Sequence, residues 1–342
     1  MQRIAIYEYV TGGGWWETGH WPPPAGLLRE GRAMLEGLTA DLAVLPQVEV
    51  WTTVDSRVPV ALPAGVRAYS VGSCQEESAL LTEIAKTAAG MILIAPETGG
   101  ALARRCVLVE AAGGCLLSPD RPFVELTGDK QRTARRLAER HIPVPRGWQF
   151  GGPSPPWPLP WPRVIKPIDG CGSQGIRLVH CEAELTPFQN TSSLRCEEFV
   201  VGRAASVALL CGPAGCFPLP ACEQRLAADG SFAYLGGRLP LPAGYNDRAQ
   251  ALAAAAIAAL PPVTGYVGVD LVLGPAADGS QDRVIEVNPR LTTSYVGLRA
   301  ACATNLAAAM LAVARGERPN LRFHARAVEF SADGTVSIAA AP

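Results

Sequence analysis

Two strand-like stretches that end in oxygen-bearing side chains carry much of the chemical content of this chain: Tyr266-Val267-Gly268-Val269-Asp270-Leu271-Val272-Leu273 and Val284-Ile285-Glu286-Val287-Asn288-Pro289-Arg290. Glu286 and Asn288 lie two apart, so on a strand they share one face. If the stretches pair as a hairpin across the turn-rich residues 274–281, Asp270 joins them in a hard, oxygen-only set suited to a magnesium ion already held by nucleotide phosphates. A carboxylate among apolar neighbours is costly unless a cation or donor compensates it. Either acid taken singly also reads as a solvated strand end; Arg290 beside the set makes the pair harder to dismiss.

A second stretch, Val164-Ile165-Lys166-Pro167-Ile168-Asp169-Gly170-Cys171-Gly172-Ser173-Gln174-Gly175-Ile176, is a strand ending in lysine, a loop with three glycines, and a further strand. Glycines permit positive φ and let backbone N–H groups converge on phosphate oxygens, while the strand lysine adds a fixed positive charge. It is not a Walker A loop, which needs Gly-Lys-Ser/Thr and a following helix. A glycine-rich hairpin alone is commonly just a turn, and Lys166 at its start makes phosphate binding an equal alternative. Cys171 inside the loop reads as a small filler rather than a nucleophile, since no histidine is near in sequence. Between clamp and carboxylates stands Cys196-Glu197-Glu198-Phe199-Val200-Val201-Gly202, unaided a strand with an exposed acidic stretch.

Elements must hold these pieces. The first third alternates strands over 3–9, 48–54, 66–71, 91–96 and 115–118 with helical stretches, the first showing an apolar face of Leu27, Met34, Leu35, Leu38, Leu42 and Leu45, then 78–89 and 101–112. Such alternation predicts a parallel sheet with covering helices. A charged helix over 127–141 is stopped by Pro143 and Pro145. The run Gly151-Gly152-Pro153-Ser154-Pro155-Pro156-Trp157-Pro158-Leu159-Pro160-Trp161-Pro162 cannot form a helix or a central strand and marks a subdomain boundary. Beyond it, closely spaced strands over 164–166, 176–180, 194–200, 206–211, 265–273 and 283–287 predict an antiparallel α+β half, closed by a helix over 295–315. No internal repeat is visible.

At 342 residues, with 48% apolar and 18% charged side chains, the chain has the size and composition of a globular protein of two or three subdomains. Thirty basic residues nearly cancel thirty-one acidic ones, so neither nucleic acid nor an anionic membrane is an expected partner. The opening Met1-Gln2-Arg3-Ile4-Ala5-Ile6-Tyr7 reads as a strand rather than a signal peptide, and the longest apolar run, 249–260, is too short for a bilayer; the cytoplasm is the expected compartment. The ten cysteines contain no Cys-x-x-Cys pair and read as free thiols.

Taken in order, the lysine strand, glycine loop, Glu-Glu-Phe-Val segment, Gly-Val-Asp strand and Glu-Val-Asn-Pro-Arg strand resemble the ATP-grasp superfamily across residues 126–300. Upstream, Leu126-Thr127-Gly128-Asp129-Lys130 with Ile142-Pro143-Val144-Pro145 is similar to that family's opening helix. The resemblance implies an α/β pre-domain over 1–125, a first ATP-grasp subdomain over 126–200 and a second over 201–342. It makes Lys130 and Lys166 phosphate ligands, Gly172, Ser173 and Gly175 the loop over the phosphates, and Glu197, Glu198, Phe199 and Val200 the hinge beside adenine, with backbone hydrogen bonds to the base from 198–200. Asp270, Glu286 and Asn288 match magnesium (Mg2+) ligands, with manganese (Mn2+) admissible; Arg290 matches an arginine near the transferred phosphate, and Arg225 a further phosphate contact. One departure stands out: Ala204 occupies the place where many members carry a ribose-binding glutamate.

Within the superfamily, Glu8-Tyr9-Val10, Ile94-Ala95-Pro96-Glu97, residues 126–130 and Asn288-Pro289-Arg290-Leu291-Thr292-Thr293-Ser294-Tyr295 resemble the tyramine–glutamate ligases, which make γ-glutamyltyramine for methanofuran. That implies ATP-dependent activation of a small-molecule carboxylate as an acyl phosphate and its capture by an amine, with a homodimer left open. Carbamoyl-phosphate synthetase and D-alanine–D-alanine ligase halves resemble the nucleotide site too, and a non-catalytic nucleotide-binding regulator is the rival class. The loop Thr11-Gly12-Gly13-Gly14-Trp15-Trp16-Glu17-Thr18-Gly19-His20-Trp21 offers tryptophans for an aromatic amine, although packing against the body is the weightier reading, as it is for His20.

Overall fold

The computed structural model describes residues 1–152 and 158–339, so residues 153–157 of the proline-rich segment and 340–342 lie outside the described residues. Strands β1 (Gln2–Glu8), β2 (Val48–Asp55), β3 (Arg67–Val71) and β4 (Gly90–Ile94) form the expected parallel sheet, in the order β3-β2-β1-β4. Successive side chains face opposite sides of it. Ile4 and Ile6 pack with Met34, Leu35, Leu38 and Leu42 of α1 (Ala25–Ala43), whereas Ala5 and Tyr7 pack with Leu81 and Ile84 of α2 (Cys74–Thr87) and Leu102 and Cys106 of α3 (Ala101–Ala111). Both faces are therefore covered, as a parallel sheet requires. The fifth strand expected at 115–118 shrinks to one bridge from Leu116 to Met91, because Pro119 follows at once and offers no N–H to continue the ladder.

The second sheet is antiparallel, β5 (Gly147–Gln149), β6 (Arg163–Pro167), β7 (Arg177–Val179) and β8 (Leu194–Glu198), in the order β5-β8-β6-β7. This corrects the boundary expected at the proline-rich run. β5 precedes that run and pairs with β8 after it, so the run connects strands of one sheet. The third sheet, also antiparallel, contains β9 (Arg203–Gly212), β10 (Gly215–Pro218), β11 (Cys222–Leu226), β12 (Tyr234–Leu239), β13 (Gly265–Leu273), β14 (Arg283–Asn288), β15 (Val328–Ser331) and β16 (Val336–Ile338). Its order is β14-β13-β9-β11-β12-β15-β16, with β10 hydrogen-bonded to β9.

The helix expected over 127–141 is shorter, and a separate helix precedes it. α4 (Arg121–Thr127) ends first, and Asp129, whose carboxylate accepts from the Arg132 N–H at 2.8 Å, opens α5 (Lys130–Ala138). After the short α6 (Glu182–Leu185), the alanine-rich α7 (Ala243–Ala258) lays Ala249, Ala253, Ala256 and Ile257 against Val207, Leu209 and Val267. The closing helix splits, into α8 (Ser294–Ala301) and α9 (Leu306–Ala314). Cys302 turns extended to bridge Phe323, and Asn305 caps α9 by accepting from the Ala308 N–H at 2.8 Å. Among the described residues no helix is long and apolar enough to cross a membrane.

The N-terminal sheet is joined to the rest through α1. Ile4, Ile6 and Leu38 belong to the same buried cluster as Leu210, Leu298 and Met310. Within that contact Asp41 accepts from the Tyr295 hydroxyl at 2.6 Å and from Arg299 Nε and Nη2 at 2.9 and 2.6 Å, while its carbonyl accepts from Asn305 Nδ2 at 2.7 Å. Asp41→Ala leaves a fully buried phenol and a guanidinium without their acceptor, and is expected to lower unfolding free energy by about 2–3 kcal/mol. Urea denaturation checks this; a change below about 0.5 kcal/mol would show that the contact does not hold the two halves together.

Candidate active site

The predicted hairpin exists, and its register sets the site. β13 and β14 pair so that Asp270 stands directly opposite Glu286 and Gly268 opposite Asn288. Like charges opposite one another in a ladder repel, so something must compensate. The partners of Asp270 are neutral: Gln224 Nε2 donates to one of its oxygens at 2.8 Å and Asn288 Nδ2 to the other at 3.0 Å. Burial first, and then the Glu286 carboxylate, push the Asp270 carboxyl up to about 7. Gly268 is required where it is, since a Cβ there would lie 2.7 Å from the Thr292 methyl.

Just past Asp270 the register slips, leaving Ile285 without an opposite number. Such bulges free a backbone group and re-aim side chains. The freed Ile285 carbonyl accepts from Lys166 Nζ at 3.4 Å. Lys166, the last but one residue of β6, is buried; its ammonium also meets Glu197 on neighbouring β8 at 2.6 Å, and Arg195 Nε donates to the other Glu197 oxygen at 2.8 Å. Burial would raise the Glu197 carboxyl, but Lys166 and Arg195 outweigh it and hold it below the ordinary range. The Glu197 carboxylate thus anchors the lysine.

The glycine loop lies against the N-terminal sheet. Gly172, Ser173 and Gly175 all have positive φ, 59°, 59° and 74°. Asp169 accepts from the Gly99 N–H at 3.0 Å, and the Thr98 hydroxyl donates to Cys171 Sγ at 3.6 Å. Cys171 is buried, and burial raises its thiol, which agrees with a filler and not a nucleophile. Lys130 at the start of α5 donates to the Gly170 carbonyl and lies 3.4 Å from Glu286, joining loop to carboxylates.

A cavity of about 380 Å³ collects these groups. One end is apolar, with Val164, Ile176, Val200, Ala204 and Leu271 around the tilted Phe199 and Phe232 rings, whose centroids are 6.1 Å apart. In the expected hinge the Glu198 and Phe199 N–H groups are engaged by the Arg146 and Pro162 carbonyls at 2.9 and 3.3 Å, so they are not offered to a base. The middle carries Lys166, Ser206, Gln224, Asp270, Glu286 and Asn288; the far end carries Arg290, Thr292, Thr293, Ser294, Tyr234 and Glu30. Arg290 is clamped by Glu97, at 2.9 Å from Nε and 3.4 Å from Nη2, and stays charged because that carboxylate outweighs its burial.

Gly172, Ser173, Glu197, Glu198, Phe199 and Val200 line this cavity with Lys166, Arg290 and the three oxygen-bearing side chains. Lys130 lines a smaller adjoining space, and Gly175 lies outside the lining although its neighbour Ile176 is in it. Arg225 is not brought in: it is exposed and donates to the Phe330 carbonyl at 3.4 Å, because alternation along β11 turns Gln224 inward instead. The tryptophan loop is also not part of the cavity. Trp16 and Trp21 sandwich the Arg57 guanidinium at 3.4 and 4.0 Å, and Trp15 packs edge-on against Tyr9. Sequence reasoning missed Gln224, Glu30, Tyr234 and Arg195; only the long-range pairing of strands and helices places them.

Two consecutive family profiles match the chain, a pre ATP-grasp 3 domain over residues 48–122 and an ATP-grasp domain over 127–294. The chain belongs to the ATP-grasp superfamily. It is similar to a tyramine–L-glutamate ligase of Methanocaldococcus fervens, 25% identical over 240 residues that make up 70% of each protein. A second such ligase, from Methanocaldococcus jannaschii, is 28% identical over 170 residues, 50% of this chain and 47% of that one. A solved structure from Archaeoglobus fulgidus, assigned to the ATP-grasp superfamily, superposes with a TM-score of 0.71 at 20% identity, covering 97% of this chain and 92% of that one, which bears out the expected fold. This ATP-grasp chain is an ATP-dependent ligase of the carboxylate–amine type.

Two facing carboxylates, Asp270 with only amide donors and Glu286 with the Lys130 ammonium on one side, fit a hard divalent cation, and Asn288 Oδ1 adds a third oxygen. Among the described residues no cluster of three carboxylate, thiolate or imidazole groups exists, so protein ligands alone do not make a closed cage. The set suits an ion that arrives with phosphates. An acid whose folded-state pKa is raised weakens the fold as pH climbs from its unfolded value through the folded one, since the folded chain gives up a proton that it holds more tightly. A cation reverses that loss. In thermal unfolding with a non-hydrolysable ATP analogue, the extra stabilisation from magnesium is therefore expected to be larger at pH 8.5 than at pH 5.5, with Asp270→Asn flattening the difference; a shift independent of pH in the unsubstituted protein would contradict this electrostatic account.

Proposed function

We propose that this ATP-grasp ligase activates the γ-carboxylate of L-glutamate as an acyl phosphate and joins it to tyramine, for a methanofuran-type cofactor. The observation that supports the reading is the meeting, in one cavity, of Lys166, the opposed Asp270 and Glu286 with Asn288, and Arg290. Phosphoryl transfer needs positioning and charge neutralisation more than covalent help from the protein. The apolar end takes the adenine between Phe199 and the strand residues, with the loop of Gly172, Ser173 and Gly175 over the phosphates. Lys166, fixed by Glu197, and Lys130, reaching from α5, place positive charge along them. Asp270, Glu286 and Asn288 would hold magnesium, which supplies Lewis-acid neutralisation of the phosphate oxygens.

Arg290 lines the same cavity with its side chain fixed by Glu97, and there it would neutralise charge on the carboxylate and the phosphoryl group in transit. The carboxylate oxygen attacks the γ-phosphorus and ADP departs; the amine nitrogen then attacks the acyl carbon and phosphate leaves with the electron pair of the broken C–O bond. The loop, seated on Thr98 and Gly99, keeps water from the acyl phosphate in between.

Incubation of the protein with ATP, magnesium, L-glutamate and a panel of amines, with products weighed by mass spectrometry, is expected to give γ-glutamyltyramine and one ADP per amide. Ligation of another pair rejects this substrate assignment alone; ADP formed with bicarbonate and no amine would move the chain to carboxylation. Glu286→Ala is expected to cut amine-dependent ADP release by about 100-fold or more with an unchanged circular dichroism spectrum. Unimpaired turnover would remove Glu286 from the metal set.

A further inference from the structure

The cavity is lined by five acids, and four of them are already answered. Glu197 holds Lys166, Glu198 lies 2.9 Å from Arg146 Nε, Glu286 lies 3.4 Å from Lys130, and Asp270 belongs to the metal set. The fifth is Glu30. It comes from α1, far in sequence from the nucleotide motifs, and reaches the end of the cavity where Arg290 and Thr293 lie. One of its oxygens accepts from the Thr293 hydroxyl at 2.8 Å. No lysine or arginine nitrogen lies within ion-pairing distance of it among the described residues. Arg290, the nearest cation of that wall, is neutralised by Glu97.

A carboxylate in a partly desolvated wall without a counter-ion is a costly arrangement unless the ligand brings the charge. Burial raises the Glu30 carboxyl above its ordinary range, with Thr293, Arg290 and Arg29 offsetting only part of this. The substrate end of the cavity therefore asks for a cation. Tyr234 lines the same cavity.

We propose that Glu30 binds the ammonium group of the acceptor amine and so selects primary alkylamines over neutral nucleophiles. The inference rests on the ligase reading above and adds to it the class of acceptor and the residue that recognises it. Arg290 and Glu30 then divide the labour at one end of the cavity. The arginine faces the carboxylate being activated, and the glutamate holds the ammonium and takes one of its protons, which leaves the neutral amine nitrogen to attack the acyl carbon; the second proton departs with the released phosphate.

Hydroxylamine is uncharged near neutral pH and traps acyl phosphates as hydroxamates, so it tests the two claims separately. With L-glutamate and MgATP, the preference for tyramine, or for whichever primary amine the protein uses best, over hydroxylamine is measured as a ratio of kcat/KM. Glu30→Gln keeps the side-chain oxygen for Thr293 and is expected to lower that ratio by about 10- to 100-fold, chiefly through a higher KM for the amine, with the KM for ATP moving less than about twofold. Glu30→Asp recovers part of the ratio. An equal fall for both nucleophiles, a shift in magnesium or ATP requirement in place of amine KM, or hydroxamate formation with no primary amine accepted at all would overturn the assignment of Glu30 while leaving the ligase reading intact. Neither hydroxamate nor amide from the unsubstituted protein would sink both.

Discussion

Two carboxylates face each other across a pair of antiparallel strands, in the wall of a cavity. Asp270 and Glu286 cannot avoid one another, because the ladder of β13 and β14 fixes them in register, and repulsion in such surroundings is stronger than in bulk solvent. Much of the neighbouring structure manages this one cost. Gln224 and Asn288 turn amide N–H groups toward Asp270, Lys130 approaches Glu286, and the slip at Ile285 brings a carbonyl toward Lys166. Lys130 answers only one of the two negative charges, and a cation held between phosphates and carboxylates would answer the other.

The same logic orders the residues around the pair. A buried lysine without an anion would lose its proton, so Glu197 and Arg195 form a closed unit around Lys166. A buried arginine would be equally exposed to that cost, and Glu97 from the segment after β4 meets Arg290. The N-terminal sheet is therefore part of the site: it supplies Glu97, Glu30, and the Thr98 and Gly99 seat for the glycine loop, and Asp41 ties its first helix to α8 and α9. Thr292, Thr293 and Ser294 line the same cavity beside those contributions.

How much of this could be read from the chain alone follows from distance. Glu286 and Asn288 were legible because a strand's period of two puts them on one face, and Lys166 because the glycines follow at once. The parallel sheet was legible in alternating apolar runs. Position along β11 was not: a one-residue difference decides which side chain enters the cavity, so Gln224 takes the place expected for Arg225. The partners of Lys166 and Arg290, and the arrival of Glu30, depend on contacts between elements far apart in sequence, for which no local pattern exists. Strand β12 contains Gly236-Gly237, which reads locally as a turn, yet the close approach of Phe330 admits only glycine there. Helix breaks at Asp129 and Asn305 carried a signal, a capping side chain, that the apolar periodicity on either side hid. Ala204, the departure from the family pattern, lines the cavity with no polar side chain of its own to offer.

The central claim is that the opposed carboxylates are a cation site completed by nucleotide phosphates. Crystals grown with manganese and a non-hydrolysable ATP analogue test it most directly, through the anomalous scattering of the metal. The account predicts a peak at coordination distance from Asp270, Glu286 and Asn288, bridging to the phosphates beneath the Gly172–Gly175 loop. A nucleotide bound with no metal between those side chains, or a metal peak on other residues, would contradict it.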